Sequence, residues 1–394
     1  MLFRSISGLI ADYSITAQTR HEENGGDDSN EISGNGTVGV NLGAWRLRAD
    51  WQTDYQHSKS NDDDVINGDD TLKNWEWSRY YAWRALPSLK AKLGLGEDYL
   101  NSDIFDGFNY VGGSISTDDQ MLPPNLRGYA PDISGVAHTT AKVTVSQMGR
   151  VIYETQVPAG PFRIQDLGDS VSGTLHIRIE EQNGQVQEYD INTASMPFLT
   201  RPGQVRYKLA AGRPRSSMSH HTEDETFISH EVSWGMLSNT SLYGGMLLAG
   251  DDYRSGALGI GQNMLWLGAL SFDVTWADSH FDIQQDEQGY SYRFNYSKQV
   301  DATNSTISLA AYRFSDRHFH SYANYIDHKY NDADAQDEKQ TISLSFGQPI
   351  TPLNLNLYAN ILHQSWWNAD TSTTGNITAG FNVDIGDWKD ISVL

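Results

Sequence analysis

Leu270-Ser271-Phe272-Asp273-Val274-Thr275-Trp276 is the stretch that decides the fold. Successive side chains of a strand point to opposite sides, so Leu270, Phe272, Val274 and Trp276 share one face and Ser271, Asp273 and Thr275 the other. A carboxylate between two hydroxyls does not suit a dry core. One face is therefore wet, and the other meets something apolar. Tyr290, Tyr292, Phe294 and Tyr296 oppose Ser291, Arg293, Asn295 and Ser297 in the same way. Leu355, Leu357, Ala359 and Ile361 oppose Asn354, Asn356, Tyr358 and Asn360, and Ile377, Ala379, Phe381 and Val383 oppose Thr378, Gly380, Asn382 and Asp384. Near the start, Val38, Val40 and Leu42 run into a tight turn at Gly43-Ala44, beyond which Leu47, Ala49 and Trp51 oppose Arg46, Arg48 and Asp50.

This alternation covers about Ile10 to Gly113 and Val205 to Ile385, broken by polar turns and with no compensating helix. A sheet so long with one polar face closes best as a water-filled antiparallel barrel in lipid. Composition agrees: aromatics reach 11%, there are 35 glycines, and no apolar run is long enough for a membrane helix. Mean hydropathy is negative, as expected when only every second side chain meets lipid. Trp75, Trp77, Tyr80, Tyr81 and Trp83, with Trp366-Trp367, are expected near strand ends as an interfacial girdle. The net charge of -22 argues against a nucleic-acid partner, and the absence of cysteine excludes disulfides and thiolate chemistry. Met1 to Ser7 lacks a charged region followed by an apolar one, so no signal peptide is read, and the chain is expected to have lost its true N-terminus.

Residues 132–200 break the pattern. Short strands are expected over 141–146, 150–155, 161–164, 174–180 and 185–191, with Val143, Val145, Leu175, Ile177 and Ile179 inward and Lys142, Thr144, His176 and Arg178 in water. Leu122, Pro123, Pro124, Arg127, Gly128 and Pro131 before it, and Pro197, Pro202 and Gly203 after it, read as joints of an inserted domain. The expected division is barrel strands over 1–131, an immunoglobulin-like β-sandwich over 132–200, and barrel strands over 201–394.

Within the insertion, Val157-Pro158-Ala159-Gly160-Pro161-Phe162-Arg163-Ile164-Gln165-Asp166-Leu167 closely resembles the signature of the outer-membrane fimbrial usher family. Read on its own, Pro158 to Pro161 make a fixed turn, Phe162 and Ile164 point into the sandwich, and Asp166 closes a local turn. Asp118 to Pro131 resembles the family's lead into its plug domain, and Asp103 to Tyr110 a hairpin just before it. Gly268 to Thr275 and Ala311 to Ser315 resemble later barrel strands. After subtraction of the insertion the chain holds about seventeen strands, against twenty-four in the family, so it reads as part of a barrel and as a fragment.

The resemblance implies an outer-membrane pore that passes chaperone-delivered pilus subunits, with the sandwich as a plug that swings aside. Its implied partners are periplasmic chaperone-subunit complexes, pilus subunits and outer-membrane lipid, and a homodimer stays open. Arg46, Arg48, Asp50, Arg293, Asn354, Asn356, Asn360 and Asn382 are the expected lumen-facing residues, hydrated and able to make reversible bonds to the plug. Two other readings compete: a passive porin, which constricts with a loop instead of a Pro-linked domain, and a soluble β-rich adhesin. No enzyme, cofactor or metal site is read. His220-His221 with Glu223 to Glu225 lacks ligand spacing, Asp62 to Asp70 fails the calcium-loop pattern, and Gly94-Leu95-Gly96 and Gly259-Ile260-Gly261 lack the rest of a dinucleotide motif.

Overall fold

The computed structural model describes residues 7–20, 28–59, 69–118, 121, 133–137, 139–147, 150–164, 173–182, 184–193, 200, 202–216, 221–237, 239–264, 267–281, 286–300, 305–330, 337–350, 355–367, 373–385 and 388–393. Before the insertion run β1 (Gly8–Arg20), β2 (Asp28–Leu42), β3 (Trp45–Lys59), β4 (Asp69–Leu86), β5 (Ala91–Tyr99) and β6 (Asn109–Thr117). The insertion holds β7 (Ile133–Ala137), β8 (Ala141–Gln147), β9 (Arg150–Val157), β10 (Gly160–Ile164), β11 (Gly173–Glu181) and β12 (Val186–Thr193). After it come β13 (Val205–Pro214), β14 (Phe227–Gly235), β15 (Thr240–Ala249), β16 (Tyr253–Asn263), β17 (Ala269–Ser279), β18 (Glu287–Val300) and β19 (Ser305–Ser315). A helix, α1 (Tyr322–Tyr330), precedes β20 (Glu338–Ile350), β21 (Leu355–Trp366), β22 (Thr373–Ile385) and β23 (Trp388–Val393).

Among the described residues, β1 to β6 and β13 to β23 form one sheet of 17 strands. Each strand pairs antiparallel with the next, and β6 pairs with β13 from Ser116–Lys208 to Tyr110–Pro214, so the sheet runs on past the insertion. Its burial pattern inverts that of a soluble sheet. In β17, Ser271 and Asp273 are each 1% exposed while Phe272 is 45% exposed. In β14, Ser229, Glu231 and Ser233 are buried, and Ile228, Val232 and Trp234 are exposed. Apolar side chains turned outward and polar ones inward are what lipid on one side and protein or water on the other select. Substituting the outward Leu258, 78% exposed in mid-β16, by arginine should cost about 2–4 kcal/mol of folding stability in lipid. Serine at the same place should cost much less, and urea titration of vesicle-folded protein measures both.

Connections differ at the two ends of the strands. Gly43, at φ +56°, makes the two-residue turn between β2 and β3, and residues 236–239 join β14 to β15. The opposite end carries residues 100–108, 215–226 and the stretch containing α1. Short turns mark the periplasmic end of an outer-membrane barrel and long connections its external end. The insertion, between β6 and β13, leaves from the short-turn end.

Two expectations fail here. The sheet was read as free of helices, yet α1 lies between β19 and β20. Its Tyr322 and Tyr325 are buried one turn apart with Ile326 packed beside them, but Asn324, Asp327, His328 and Lys329 leave only a short apolar face, so the helical period is weak. The aromatic cluster of β4 sits mid-strand and divides between faces. A register shift between Asp50 and Trp51 adds a residue to β4 there. Trp75, Trp77 and Tyr80 are exposed, with Trp75 stacked on Trp51 at 4.7 Å. Beyond the bulge, alternation carries Arg79, Tyr81 and Trp83 to the inner face, where Arg79 lies 3.8 Å over the Tyr81 ring.

The inserted unit is two small sheets, β12-β11-β8-β9 and β10-β7, around a shared core of Ile133, Val143, Val145, Phe162, Ile164, Leu175, Ile177 and Ile179. The expected strands are all present, extended by one or two residues at one or both ends, except that β12 starts one residue later than expected, and β7 is the one that periodicity missed. Ile177→Ala should destabilise this unit by about 2–5 kcal/mol, because a methyl-lined cavity replaces a fully buried side chain. Hydrogen exchange at β8 and β11 measures the loss, with β14 to β17 as the unaffected control.

Candidate functional site on the inner face of the sheet

The inserted unit lies against the polar face of the sheet, and its best-defined tie is Lys142. In β8 this residue is 7% exposed, and its Nζ donates to Glu31 Oε1 at 2.6 Å and to Ser33 Oγ at 3.2 Å, both on β2. Ser33 Oγ in turn donates to Glu154 Oε1 of β9 at 3.2 Å, and Glu180 of β11 is 3.5 Å from the ammonium. One cation thus holds three carboxylates from two parts of the chain. Burial works to lower the Lys142 pKa, but its bond to Glu31 and the surrounding carboxylates outweigh this and raise it.

A second charged group of the wall faces the start of β9. On the inner face Asp50 bonds Thr37 Oγ1 at 2.7 Å and Arg79 at 2.9 Å, and Arg79 reaches Asp98 at 3.1 Å. Arg150, at the start of β9, feels this group. Burial and then the Arg79 charge lower its pKa, while Asp50, Asp98 and Tyr81 oppose them. Across the lumen, Tyr189 of β12 is near Tyr358 of β21, with neither hydroxyl hydrogen-bonded among the described residues, and β10 approaches β23. One unit that meets β2 to β5 and also β21 and β23 requires the sheet to curl around it.

On the opposite wall the stretch between β5 and β6 folds inward and caps β13 to β19. The Asp103 carboxylate binds Lys208 at 2.9 Å, its N–H donates to Glu231 at 3.1 Å, and its carbonyl accepts from Arg293 at 2.8 Å. Asp106 binds Arg313 at 2.7 Å. Burial would raise the Asp103 pKa, but Lys208, Arg206 and Arg293 hold it below the usual carboxylate range. Ile104, Phe105 and Phe108 pack with Tyr110, Phe227, Tyr243, Tyr253 and the α1 residues Tyr322 and Tyr325. This stretch was expected to be a strand hairpin. The structure gives it no strand before Asn109: Leu100 N–H donates to Phe108 O at 2.8 Å, the Ile104 and Phe105 N–H groups bond Ser102 Oγ, and the Asp103 N–H and carbonyl reach the barrel wall.

Among the residues singled out from sequence, Asp50 and Arg293 lie in these inner-face networks, and Arg293 also binds Asp273 at 3.1 Å. Arg46 and Arg48 share the face of Asp50 by alternation but bond locally, Arg46 to the carbonyls of Gly43 and Trp45 and Arg48 to Val40, Leu47 and Asn41. Asn360 is half-buried on the face of Tyr358, and Asn356 pairs in register with Asn382. In the signature, Phe162 and Ile164 are core residues beside Val157, and Gly160 at φ +121° supplies a backbone that side chains disfavour. Pro158 and Ala159 are exposed between β9 and β10, Pro161 pairs with Val136, Pro202 bridges to Gly235, and the Gly203 N–H donates to Gly235 O at 2.8 Å. Leu122, Pro123, Pro124, Arg127, Gly128, Pro131, Asp166, Leu167, Pro197 and Asn354 lie outside the described residues.

Sequence reading missed the Lys142 tie. Lys142 was read as facing water like His176 and Arg178, which are indeed 47% exposed. Alternation places a side chain on a face but does not say what covers that face.

The family model described as "Outer membrane usher protein" matches residues 33–394. This chain belongs to the outer membrane usher family. The usher chain is 66% identical over 388 residues to the uncharacterized outer membrane usher protein YbgQ of Escherichia coli strain K12, covering 98% of the chain and 46% of YbgQ. It therefore spans about half the length of the curated usher relatives it matches. A solved structure of the P pilus usher (PapC) translocation pore superimposes with a TM-score of 0.82 at 40% identity, over 96% of this chain and 75% of that one. The usher in a P pilus tip assembly intermediate, PapC-PapD-PapK-PapG, is similar at a TM-score of 0.64 and 41% identity, over 99% of this chain and 48% of that one. The large antiparallel sheet is thus the membrane barrel wall of an outer-membrane usher.

Proposed function

We propose that this chain forms most of the wall and the gate of a pore that carries chaperone-delivered pilus subunits across the outer membrane. The observation that carries the reading is the Lys142 tie: a folded unit, inserted between two neighbouring barrel strands, held to the inner wall by ionic and hydroxyl contacts. Polar contacts that water can replace suit a domain that must leave and return. The unit is the plug, residues 132–200, and the joints near Pro131 and Pro202 are its hinges.

The complex containing PapC, PapD, PapK and PapG supports partners of the same chemistry for this usher, namely chaperone-bound subunits and subunits already in a growing fibre. The role needs no catalysis. Outward growth draws on the subunits, which exchange one completing strand for another. The test is single-pore conductance: removing the plug should convert a closed protein into an open one.

A further inference from the structure

A second polar cluster lies at the external end, away from the plug ties. His320 is 4% exposed just before α1, His328 is on α1, and Asp337 is 5% exposed immediately before β20. One ligand atom from each lies within 4.8 Å of the others. Nε2 of His328 and Nδ1 of His320 are each 2.9 Å from the same Asp337 oxygen, Oδ1. The two contacts are unlike. His328 makes a hydrogen bond, whereas the contact of His320 lacks hydrogen-bond geometry and its buried Nδ1 has no hydrogen-bond partner.

The other nitrogen of His320 is engaged as well. Its Nε2 is 2.6 Å from Glu287 Oε2 at the start of β18. In the neutral ring with its proton on Nε2, facing that carboxylate, Nδ1 carries a lone pair aimed at another acceptor. A cation at that point removes the conflict. Carboxylate-bound imidazole is also how proteins orient a metal-binding histidine. We propose that His320 Nδ1, His328 Nε2 and Asp337 Oδ1 bind a divalent ion of zinc's class, with Glu287 as the positioning carboxylate of His320.

Two imidazoles and one carboxylate favour zinc over calcium or magnesium, which prefer all-oxygen shells. Metal–ligand distances of about 2.0–2.2 Å in a tetrahedron place ligand atoms about 3.3–3.6 Å apart, so the two His–Asp pairs need to part by about 0.4–0.7 Å. Phe281 walls the site, its ring centroid 5.4 Å from His320 and 6.1 Å from His328. The ion would join α1 to β18 and β20, pinning the helix over the inward-folded stretch 100–108. The proposal does not depend on how the plug moves.

The experiment is calorimetric titration of Zn²⁺ into chelator-treated full-length protein in detergent, with Co²⁺ visible spectra to report coordination. One Zn²⁺ per chain is expected, with tetrahedral-type Co²⁺ bands. His328→Gln and Asp337→Asn should each weaken binding about 100-fold or more, and His57→Gln should leave it unchanged. His328 is partly exposed, so its variant keeps the fold, checked by the heat-sensitive gel mobility of the barrel. Absence of saturable Zn²⁺ uptake by the folded protein overturns the proposal, as does uptake that His328→Gln and Asp337→Asn leave intact.

Discussion

Replacing Lys142 with methionine is expected to raise the open fraction of single pores by about a hundredfold. The docked state would keep Glu31, Glu154 and Glu180 around Ser33 without their cation. Removing one member of a buried ion pair costs about 3–5 kcal/mol, because the remaining charge stays desolvated. Glu31 keeps 24% of its side-chain surface, so the lower end applies. The penalty falls on the docked arrangement, since an undocked plug returns these carboxylates to water. About 3 kcal/mol corresponds to roughly two decades in the docked-to-undocked ratio. Glu31→Gln combined with Lys142→Met should recover part of the closure, since it removes one of the unpaired charges. Bilayer recordings of the single and double variants measure this, and an unaltered closed state in Lys142→Met would show that the tie does not hold the plug.

Arg293→Met should loosen the opposite wall. Arg293 neutralises Asp273, which is 1% exposed, and also donates to the carbonyl of Asp103. Its loss leaves Asp273 with the Tyr243 hydroxyl at 2.9 Å as its remaining described donor. The expected destabilisation is about 3 kcal/mol, with methionine filling much of the lost volume so that charge and not packing is tested. Hydrogen exchange over 100–108 should quicken by about a hundredfold, while β7 to β12 are unchanged. Equal protection in the variant would mean that Lys208 and the apolar contacts of Phe105 and Phe108 suffice to hold the stretch.

What could be read from sequence follows from what a strand encodes. Ser271, Asp273 and Thr275 against Phe272 and Trp276 gave the inverted face, because period two is written in the side chains themselves. The core of the inserted unit was legible for the same reason, at Val143, Val145, Leu175, Ile177 and Ile179. Tyr81 and Trp83 were misplaced because one bulged residue in β4 reverses the phase, and no residue type announces it. Helix α1 escaped because its nine residues offer only Tyr322, Tyr325 and Ile326 as an inward face. The Lys142 tie and the His320, His328 and Asp337 cluster escaped for a different reason. Each joins residues that are adjacent only after β2 meets β8, or after α1 folds back over β18 and β20, and no local spacing records such a meeting.

The central claim is that the inserted unit closes the pore. Its most direct measurement is single-channel conductance in planar bilayers of the full-length usher, intact and with residues 132–195 replaced by a short Gly-Ser linker. The account predicts a mostly closed intact protein and a large, steadily open pore after deletion, since β6 and β13 remain paired and the wall persists without the insert. Steady conductance of the intact protein, unaltered by the deletion, would contradict it and leave a passive porin as the better description.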